Sequence, residues 1–374
     1  MKMIVGVDIW DLRVAKTGQK TVTEEYCRQF KKNRGTDIRY VFFDPRWPIY
    51  TGKMKWRIMF EHMRYQFWKQ VQVPLKAWYH KCDIVFCGDY FAPYIHFGYK
   101  TVEIFYDAFF FENPEHCNKL WLKLFHHLAM PAARRCKKIV TITDYSKGRL
   151  HELAGFPLEK LVTIYPAPKT FQSDTADIKN SSRFIRPGKR YLLHVGVMEK
   201  RKNLPRLIEA FAMLTQKGFE DVDLILVGQG NGKINSDDSA NVYQAIADHG
   251  LKDRVILTGY LPDEEVAPLY RNAFMYVFPS INEGFGLPIL EAFRFGLPVI
   301  AANNTCLPEV GGDGMLVFNP FDPADICAKI EAVVSDNALR TELIRKGRDR
   351  LHFFSWEKAT AQLTDVFREV CKKA

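Results

Sequence analysis

Short apolar runs alternate along this chain with longer stretches in which apolar residues recur every three or four positions. That alternation predicts parallel β-strands separated by helices. Strands are expected at Met3–Val7, Ile38–Phe43, Ile84–Cys87, Thr101–Ile104, Ile139–Thr143 and Leu161–Ile164. Helices are expected between several of them, at Thr21–Lys32, Trp56–Trp78, Lys119–Arg135 and Tyr145–Leu153. The pattern then breaks. Tyr165-Pro166-Ala167-Pro168 leads into a polar stretch that ends at Pro187-Gly188, which reads as a linker over 171–189. A second strand series follows at Tyr191–Val195, Leu224–Val227, Val255–Leu257, Phe274–Phe278, Val299–Ala302 and Met315–Val317. The expected fold class is α/β, with two doubly wound, Rossmann-like parallel-sheet domains, 1–170 and 190–355. Such sheets bind ligands at the carboxyl ends of their strands, which would line a cleft in a two-domain pair. No repeat of 20–50 residues is visible, and no apolar run reaches the roughly 18 residues of a membrane-spanning helix. Asp8 falls where a signal peptide would stay apolar, so the first residues read as a strand.

Composition sharpens this. The chain has 374 residues, 47% hydrophobic and 26% charged, which excludes disordered, collagen-like and coiled-coil classes. The net charge of +10 is lopsided. Residues 1–180 carry 29 Lys and Arg against 18 Asp and Glu, whereas 181–374 carry 24 against 25. A one-sided basic surface suits an anionic partner, either nucleic acid or a membrane face. The 8 cysteines are scattered without C-x-x-C spacing, which fits a reducing compartment and supports neither a zinc site nor a redox pair.

Three segments carry candidate chemistry. In Asn282-Glu283-Gly284-Phe285-Gly286-Leu287-Pro288-Ile289-Leu290-Glu291, Pro288 suits the start of a short helix over about 288–295 and Gly296 its end. Bare backbone N–H groups of the Gly-x-Gly turn can surround an anion there. Glu283 and Glu291 flank that seat. They suit hydrogen bonds from sugar hydroxyls, although Glu291 could merely complement the helix dipole and Glu283 be solvated. In His194-Val195-Gly196 through Lys200-Arg201-Lys202-Asn203-Leu204-Pro205, three cations follow a strand end, a good position for a diphosphate, with Asn203 as helix N-cap. A solvated loop is the alternative. Gly228-Gln229-Gly230 resembles half a dinucleotide fingerprint, but the polar residues after it argue for a loop. Asp221-Val222-Asp223 has a metal-binding D-x-D spacing and reads better as a strand edge.

Together these segments resemble the donor-binding half of family 4 retaining glycosyltransferases of GT-B architecture. The resemblance rests on Gly196 with Arg201-Lys202-Asn203-Leu204, on Gly228-x-Gly230, on Gly259-Tyr260 with Leu269-Tyr270, and above all on Glu283 through Glu291. Phe354-Ser355-Trp356-Glu357 resembles the start of the family's C-terminal helix, which would complete the first domain with residues from about 356 to 374. The resemblance implies that 190–355 binds a nucleotide diphosphate sugar, GDP- or UDP-linked, and that 1–170 binds the acceptor. Arg201 and Lys202 would neutralise the departing diphosphate, Glu291 hold the ribose and Glu283 contact the transferred sugar. Gly284, Phe285, Gly286 and Leu287 would offer backbone N–H groups, and Gly18, Gly196, Gly228 and Gly230 would allow close approach to the donor. It implies retention of configuration, no active-site metal and no further cofactor. Three positions depart from the family pattern. Val197 replaces an Arg, the first loop reads Thr17-Gly18-Gln19-Lys20, and Tyr106-Asp107 stands where many members have His-Asp, leaving Asp107 as a candidate catalytic residue. The Arg-Lys-Asn and Glu-Gly-Phe-Gly-Leu-Pro pattern favours a mannose-type sugar by analogy.

Residues 46–81 concentrate the basic charge, with eight Lys and Arg, one acid and nine aromatics. Arg46, Lys53, Lys55, Trp56, Arg57, Arg64, Trp68 and Lys69 are the expected membrane or acceptor surface, because cations with Trp and Phe suit an anionic bilayer face. An ordinary core-packed helix with a basic edge is the alternative. No nucleic-acid motif accompanies the charge. The expectation is a cytoplasmic enzyme, peripheral at the inner face of the cytoplasmic membrane, that transfers a hexose to a glycan or lipid-linked glycan. A sugar-nucleotide epimerase or NAD-linked enzyme on a similar fold, and a non-catalytic membrane- or nucleic-acid-binding module, are the competing readings.

Overall fold

The computed structural model describes the chain except residues 1, 15–17, 33–36, 51, 53, 171–180, 233–234 and 373–374. Most of the expected linker therefore lies outside the described residues. The chain divides into two compact units: Met1–Ala167 with Ser355–Ala374, and Pro168–Phe354.

In the first unit six strands form one parallel sheet: β1 (Met3–Asp8), β2 (Ile38–Phe43), β3 (Ile84–Cys87), β4 (Lys100–Phe105), β5 (Lys138–Thr141) and β6 (Leu161–Thr163). Their order is β2-β1-β3-β4-β5-β6, so the winding reverses between β1 and β3. In the second unit the strands are β7 (Arg190–Val195), β8 (Val222–Val227), β9 (Val255–Gly259), β10 (Met275–Phe278), β11 (Val299–Ala302) and β12 (Met315–Phe318). Their order is β12-β11-β10-β7-β8-β9, with the reversal between β7 and β10. Every pairing is parallel. Strands such as β3, β8, β10 and β11 are buried along their whole length, as helices on both faces require. In each sheet the reversal opens a crevice beyond the strands' carboxyl ends, where such folds place ligands.

All twelve expected strands are present, and two helices differ in an instructive way. The stretch expected as one helix over Trp56–Trp78 is a helix Lys55–Phe67, a wide π-turn Trp68–Gln72 and a helix Val73–Tyr79. Val73 N–H reaches back to the Trp68 carbonyl, and Pro74 follows without an N–H to offer. The second case is alike: Lys119–Leu124, a π-turn Phe125–Ala129, then Met130–Arg135 with Pro131 in its first turn. Each wide turn drives an aromatic ring, Trp68 or Phe125, fully into the core. The terminal helix Trp356–Lys372 completes the first unit. Its Trp356 meets Tyr26 edge-on, its Phe367 packs on Phe30 and Phe86, and the Val370 carbonyl accepts from Lys100 Nζ.

Candidate active site

The second unit's crevice is built from the loops that leave β7, β8 and β10. After β7 the chain turns at Gly196, whose N–H donates to the Val227 carbonyl, and winds into a short 3-10 turn at Lys200–Lys202. Asn203 then adopts a left-handed backbone before the helix Leu204–Gln216. Its side chain does not cap that helix, contrary to expectation. Its amide instead donates to the carbonyls of Pro279 and Pro320, tying the cation loop to the ends of β10 and β12. Ile281 N–H in turn donates to the Arg201 carbonyl. These bonds bring a loop from each side of the reversal point together.

Across that junction lies a compact ion cluster. Glu283 Oε1 stands 2.6 Å from Lys202 Nζ and 2.8 Å from Arg201 Nη1. Arg201 Nε also donates to Glu199 at 2.8 Å, and Asn231 Nδ2 donates to the same carboxylate at 2.7 Å. Lys202 is buried, with its ammonium over the Phe278 ring. Burial works against the Glu283 anion, but Arg201 and Lys202 outweigh it and hold the carboxyl at about 2. Burial also lowers Lys202, opposed by Glu283. Two cations and two carboxylates, Glu283 and Glu199, therefore balance in a shielded crevice, and an anion that enters has to compete with Glu283 for Lys202.

Glu291 occupies a different environment. It lies on the helix Leu287–Arg294 and accepts from the Tyr270 hydroxyl at 3.1 Å. Burial raises its carboxyl to about 7, restrained by Tyr270 and Lys169. Gly286, with φ of 97°, precedes that helix in a left-handed conformation that side chains avoid. Gly284 and Leu287 adjoin it, and Phe285 is buried edge-on against Phe354. Gly228 is more tightly constrained: a Cβ there would stand 1.9 Å from the Gly196 carbonyl oxygen. Gly230 packs against the Asp237–Ser239 network, and a loop does separate it from the helix Ser239–Asp248. Asp221 and Asp223 are engaged by Arg190, and by Arg186 and Arg254.

The first unit's crevice is acid-rich instead. Lys69 Nζ is 2.5 Å from both Asp8, which ends β1, and Asp89, just beyond β3. Tyr65 donates to Asp89, Trp68 Nε1 donates to Asp8 at 2.9 Å, and Gln19 donates to the nearby Asp11. Burial opposes the Lys69 ammonium, but Asp8 and Asp89 lift it well above its ordinary value. Burial, with Asp89 adding to it, raises Asp11. Trp68 and Lys69, expected on the surface, are 0% and 1% exposed. The π-turn rotates both inward, where the carboxylates hold them. Asp107 accepts from the Tyr90 hydroxyl at 2.9 Å and from Phe109 N–H. Tyr106 is buried with its hydroxyl committed to the Gly88 carbonyl. Gly18 opens the helix Gly18–Lys32 and is exposed.

The remaining surface candidates behave as a surface. Arg46 is exposed, and Arg57 stacks on Tyr50 and Trp56. Arg64 is half-buried on Glu61 and Trp47. Lys53 and the Lys55 side chain lie outside the described residues. Trp56 (63% exposed), Met59, Phe60, Met63 (66%) and Phe67 form one apolar stripe, continued by Leu75, Trp78 and Tyr79. Among the described residues no helix is long and apolar enough to cross a membrane.

Sequence reasoning missed Ser280 and gave His194, Glu199 and Asn231 no role, and it took Tyr270 only as part of the resemblance, without its bond to Glu291. His194 sits inside an apolar strand and Ser280 beside a proline, so neither stands out by spacing.

Comparison with known proteins gives this geometry a context. The model of the family "Glycosyl transferases group 1" matches residues 176–350, which contain the Arg201–Lys202–Glu283 cluster. O-antigen chain mannosyltransferase B of Escherichia coli is 32% identical over 273 residues, 72% of this chain and 70% of that protein. The serotype-specific mannosyltransferase WbdA of Escherichia coli is 29% identical over 221 residues, but the match spans only 26% of that longer protein. Among solved structures, sucrose-phosphate synthase from Thermosynechococcus elongatus superposes with a TM-score of 0.74 at 17% identity, covering 100% of both chains. That likeness shows the two-sheet GT-B fold. The breadth of the match to the first of these relatives adds the family: the chain belongs to the group 1 glycosyl transferases and is a glycosyltransferase.

Proposed function

We propose that this enzyme transfers mannose, with retention of configuration, from a nucleoside diphosphate sugar to a glycan or lipid-linked glycan in O-antigen-type polysaccharide synthesis. The observation that carries the reading is the pair of cations, buried Lys202 and half-buried Arg201, on Glu283 at the β7/β10 reversal. Arg201 and Lys202 meet the two phosphates and stabilise the charge that develops as the diphosphate leaves. Glu283 contacts the sugar, and Glu291 accepts from the ribose hydroxyls. Backbone N–H groups of Gly284–Leu287 complete the seat, beside Gly196, Gly228 and Gly230. In the first unit, Asp107 is the candidate catalytic residue on the acceptor side, and Gly18 serves close approach to the donor phosphate. Mannose is favoured because two relatives of this chain are named mannosyltransferases.

The exposed stripe Trp56–Phe67, flanked by Arg46 and Arg57, supports docking on an anionic membrane surface at its cytoplasmic face, where a lipid-linked acceptor resides. The test is a thermal-shift panel of GDP-mannose, UDP-glucose and the free nucleotides, followed by nucleotide release with Glu283→Gln and Lys202→Ala. Stabilisation by one nucleotide sugar, abolished with Lys202→Ala, is the expected result. Wild-type release from both variants would remove the site assignment.

A further inference from the structure

Two buried polar atoms beside the ion cluster have no hydrogen-bond partner: His194 Nε2 and Ser280 Oγ, each on a residue 0% exposed. The imidazole is fixed in orientation, because its Nδ1 lies 3.0 Å from the Val277 carbonyl and must carry the proton there. Burial, reinforced by Lys202, keeps the ring neutral, with its value lowered to about 4. Nε2 is therefore a bare acceptor. It faces the same space as Lys202: a Cβ on Gly196 would stand 3.2 Å from Nε2 and 3.8 Å from Lys202 Nζ. Glycine at 196 keeps that space open. On the other side, the Ser280 hydroxyl adjoins the Glu283 carboxylate and helps to lower it, without forming a well-aligned hydrogen bond.

Each unpartnered atom thus has the chemistry its charged neighbour needs. An acceptor waits beside the ammonium, and a hydroxyl waits beside the carboxylate. A buried polar atom left without a partner is costly, so a pair of them flanking one ion pair calls for a state in which they are used. A phosphate oxygen that approaches Lys202 competes with Glu283 Oε1 for the same ammonium and repels it. Parting the pair leaves Glu283 on Arg201, 2.8 Å away, and Lys202 on the phosphate, but each group then has a donor or acceptor position that only a second partner can fill.

We propose that His194 and Ser280 are positioning residues that receive Lys202 and Glu283, respectively, when a nucleotide sugar parts the ion pair. The inference rests on the assignment of Lys202 to the diphosphate and Glu283 to the sugar. It is tested with His194→Phe and Ser280→Ala, which remove the waiting atom, against His194→Gln and Ser280→Thr, which keep one. GDP and UDP serve as thermal-shift probes, and donor kcat/KM is measured with GDP-mannose and UDP-glucose. The expected result is an unloaded melting point held or raised in His194→Phe. Its nucleotide-induced shift shrinks, and kcat/KM falls about 10–100-fold, the size of a hydrogen bond to a charged group. Ser280→Ala falls less, and the Gln and Thr variants recover most of each loss. A lowered unloaded melting point with an undiminished nucleotide shift would mean that both residues serve packing alone, and the proposal would fall. Lys202→Ala is the control arm: a full nucleotide shift in that variant would overturn the site assignment itself.

Discussion

Among the described residues each unit carries one buried lysine at the point where its sheet reverses direction, and the two differ in their counter-charges. Lys202 has only a share in one carboxylate, Glu283, which also binds Arg201, while Glu199 balances the second cation. Lys69 lies between Asp8 and Asp89 with Asp11 nearby, so negative charge is left over. Yet the unit with the acid-rich crevice is the one with the basic sequence, and the balanced crevice belongs to the near-neutral half. Net charge reports the surface, while ligand chemistry is set by a few groups held out of water, where a charge interacts more strongly than at the surface. The same residue type therefore serves two ends. Lys69 fastens a wide helical turn to the sheet, and Lys202 sits where an anion can displace its partner.

If that contrast holds, removing the two lysines should do different damage. Lys69→Met leaves Asp8 and Asp89 buried without a cation, and breaking such a pair costs about 3–5 kcal/mol of stability, read from urea or thermal unfolding. The same loss in turnover with stability intact would make Lys69 a ligand-binding cation and erase the distinction. Lys202→Ala should instead cut transfer by about 10²–10³-fold, as removal of one preorganised stabiliser of developing charge does. A Lys202→Ala protein that unfolds but turns over normally would reverse the comparison.

The two carboxylates of the second unit's crevice sharpen it further, because their environments push them apart. Glu291 is raised to about 7, so its neutral form is favoured by folding. Its contribution to stability is complete below the unfolded value near 4.5 and is lost as pH rises through 7. Ligand binding should run the other way. If the carboxylate accepts from a ribose diol, nucleotide affinity rises about tenfold between pH 6 and 8, and Glu291→Gln flattens the profile. Glu283, held at about 2, contributes stability that is present above 4.5 and lost as pH falls toward 2. Isothermal titration across this range separates the two groups. A flat profile in the wild type would exclude Glu291 from nucleotide contact.

The sheets were readable from the sequence because fully buried strands appear as short unbroken apolar runs, and Gly286 and Gly296 mark helix ends by their backbone freedom. The cations and acids of the 196–203 and 282–291 segments were readable too, because each segment follows a strand and leads into a helix. What escaped was set by long-range contact. Asn203 looked like a helix cap, but its amide was claimed by carbonyls of two other strands. Arg201 and Lys202 read as free cations because nothing local shows that Glu283, some eighty residues on, folds onto them. Trp68 and Lys69 fitted a surface stripe at ordinary helical spacing, and the π-turn shifted that spacing. Pro74 and Pro131 were the available signals, each placed where a regular helix would need an N–H.

The smallest effect on the fold, and the sharpest on location, belongs to the stripe itself. Trp56 and Met63 stand mostly in solvent, so Trp56→Ser with Met63→Ser should change unfolding free energy by no more than about 0.5 kcal/mol. Binding to vesicles of mixed neutral and anionic lipid should fall severalfold, because each side chain removes apolar area from the bilayer contact. Arg57→Gln should weaken the same binding by about 1 kcal/mol at low salt and much less at high salt, since a surface cation acts through a screened field. Turnover on a water-soluble acceptor should be insensitive to all three. Vesicle flotation decides the matter. If the stripe variants float as the wild type does, the basic excess of the first half does not act through this helix. If they stop floating while Lys69→Met still floats once refolded, the division between a surface that docks and a buried lysine that fastens is secured.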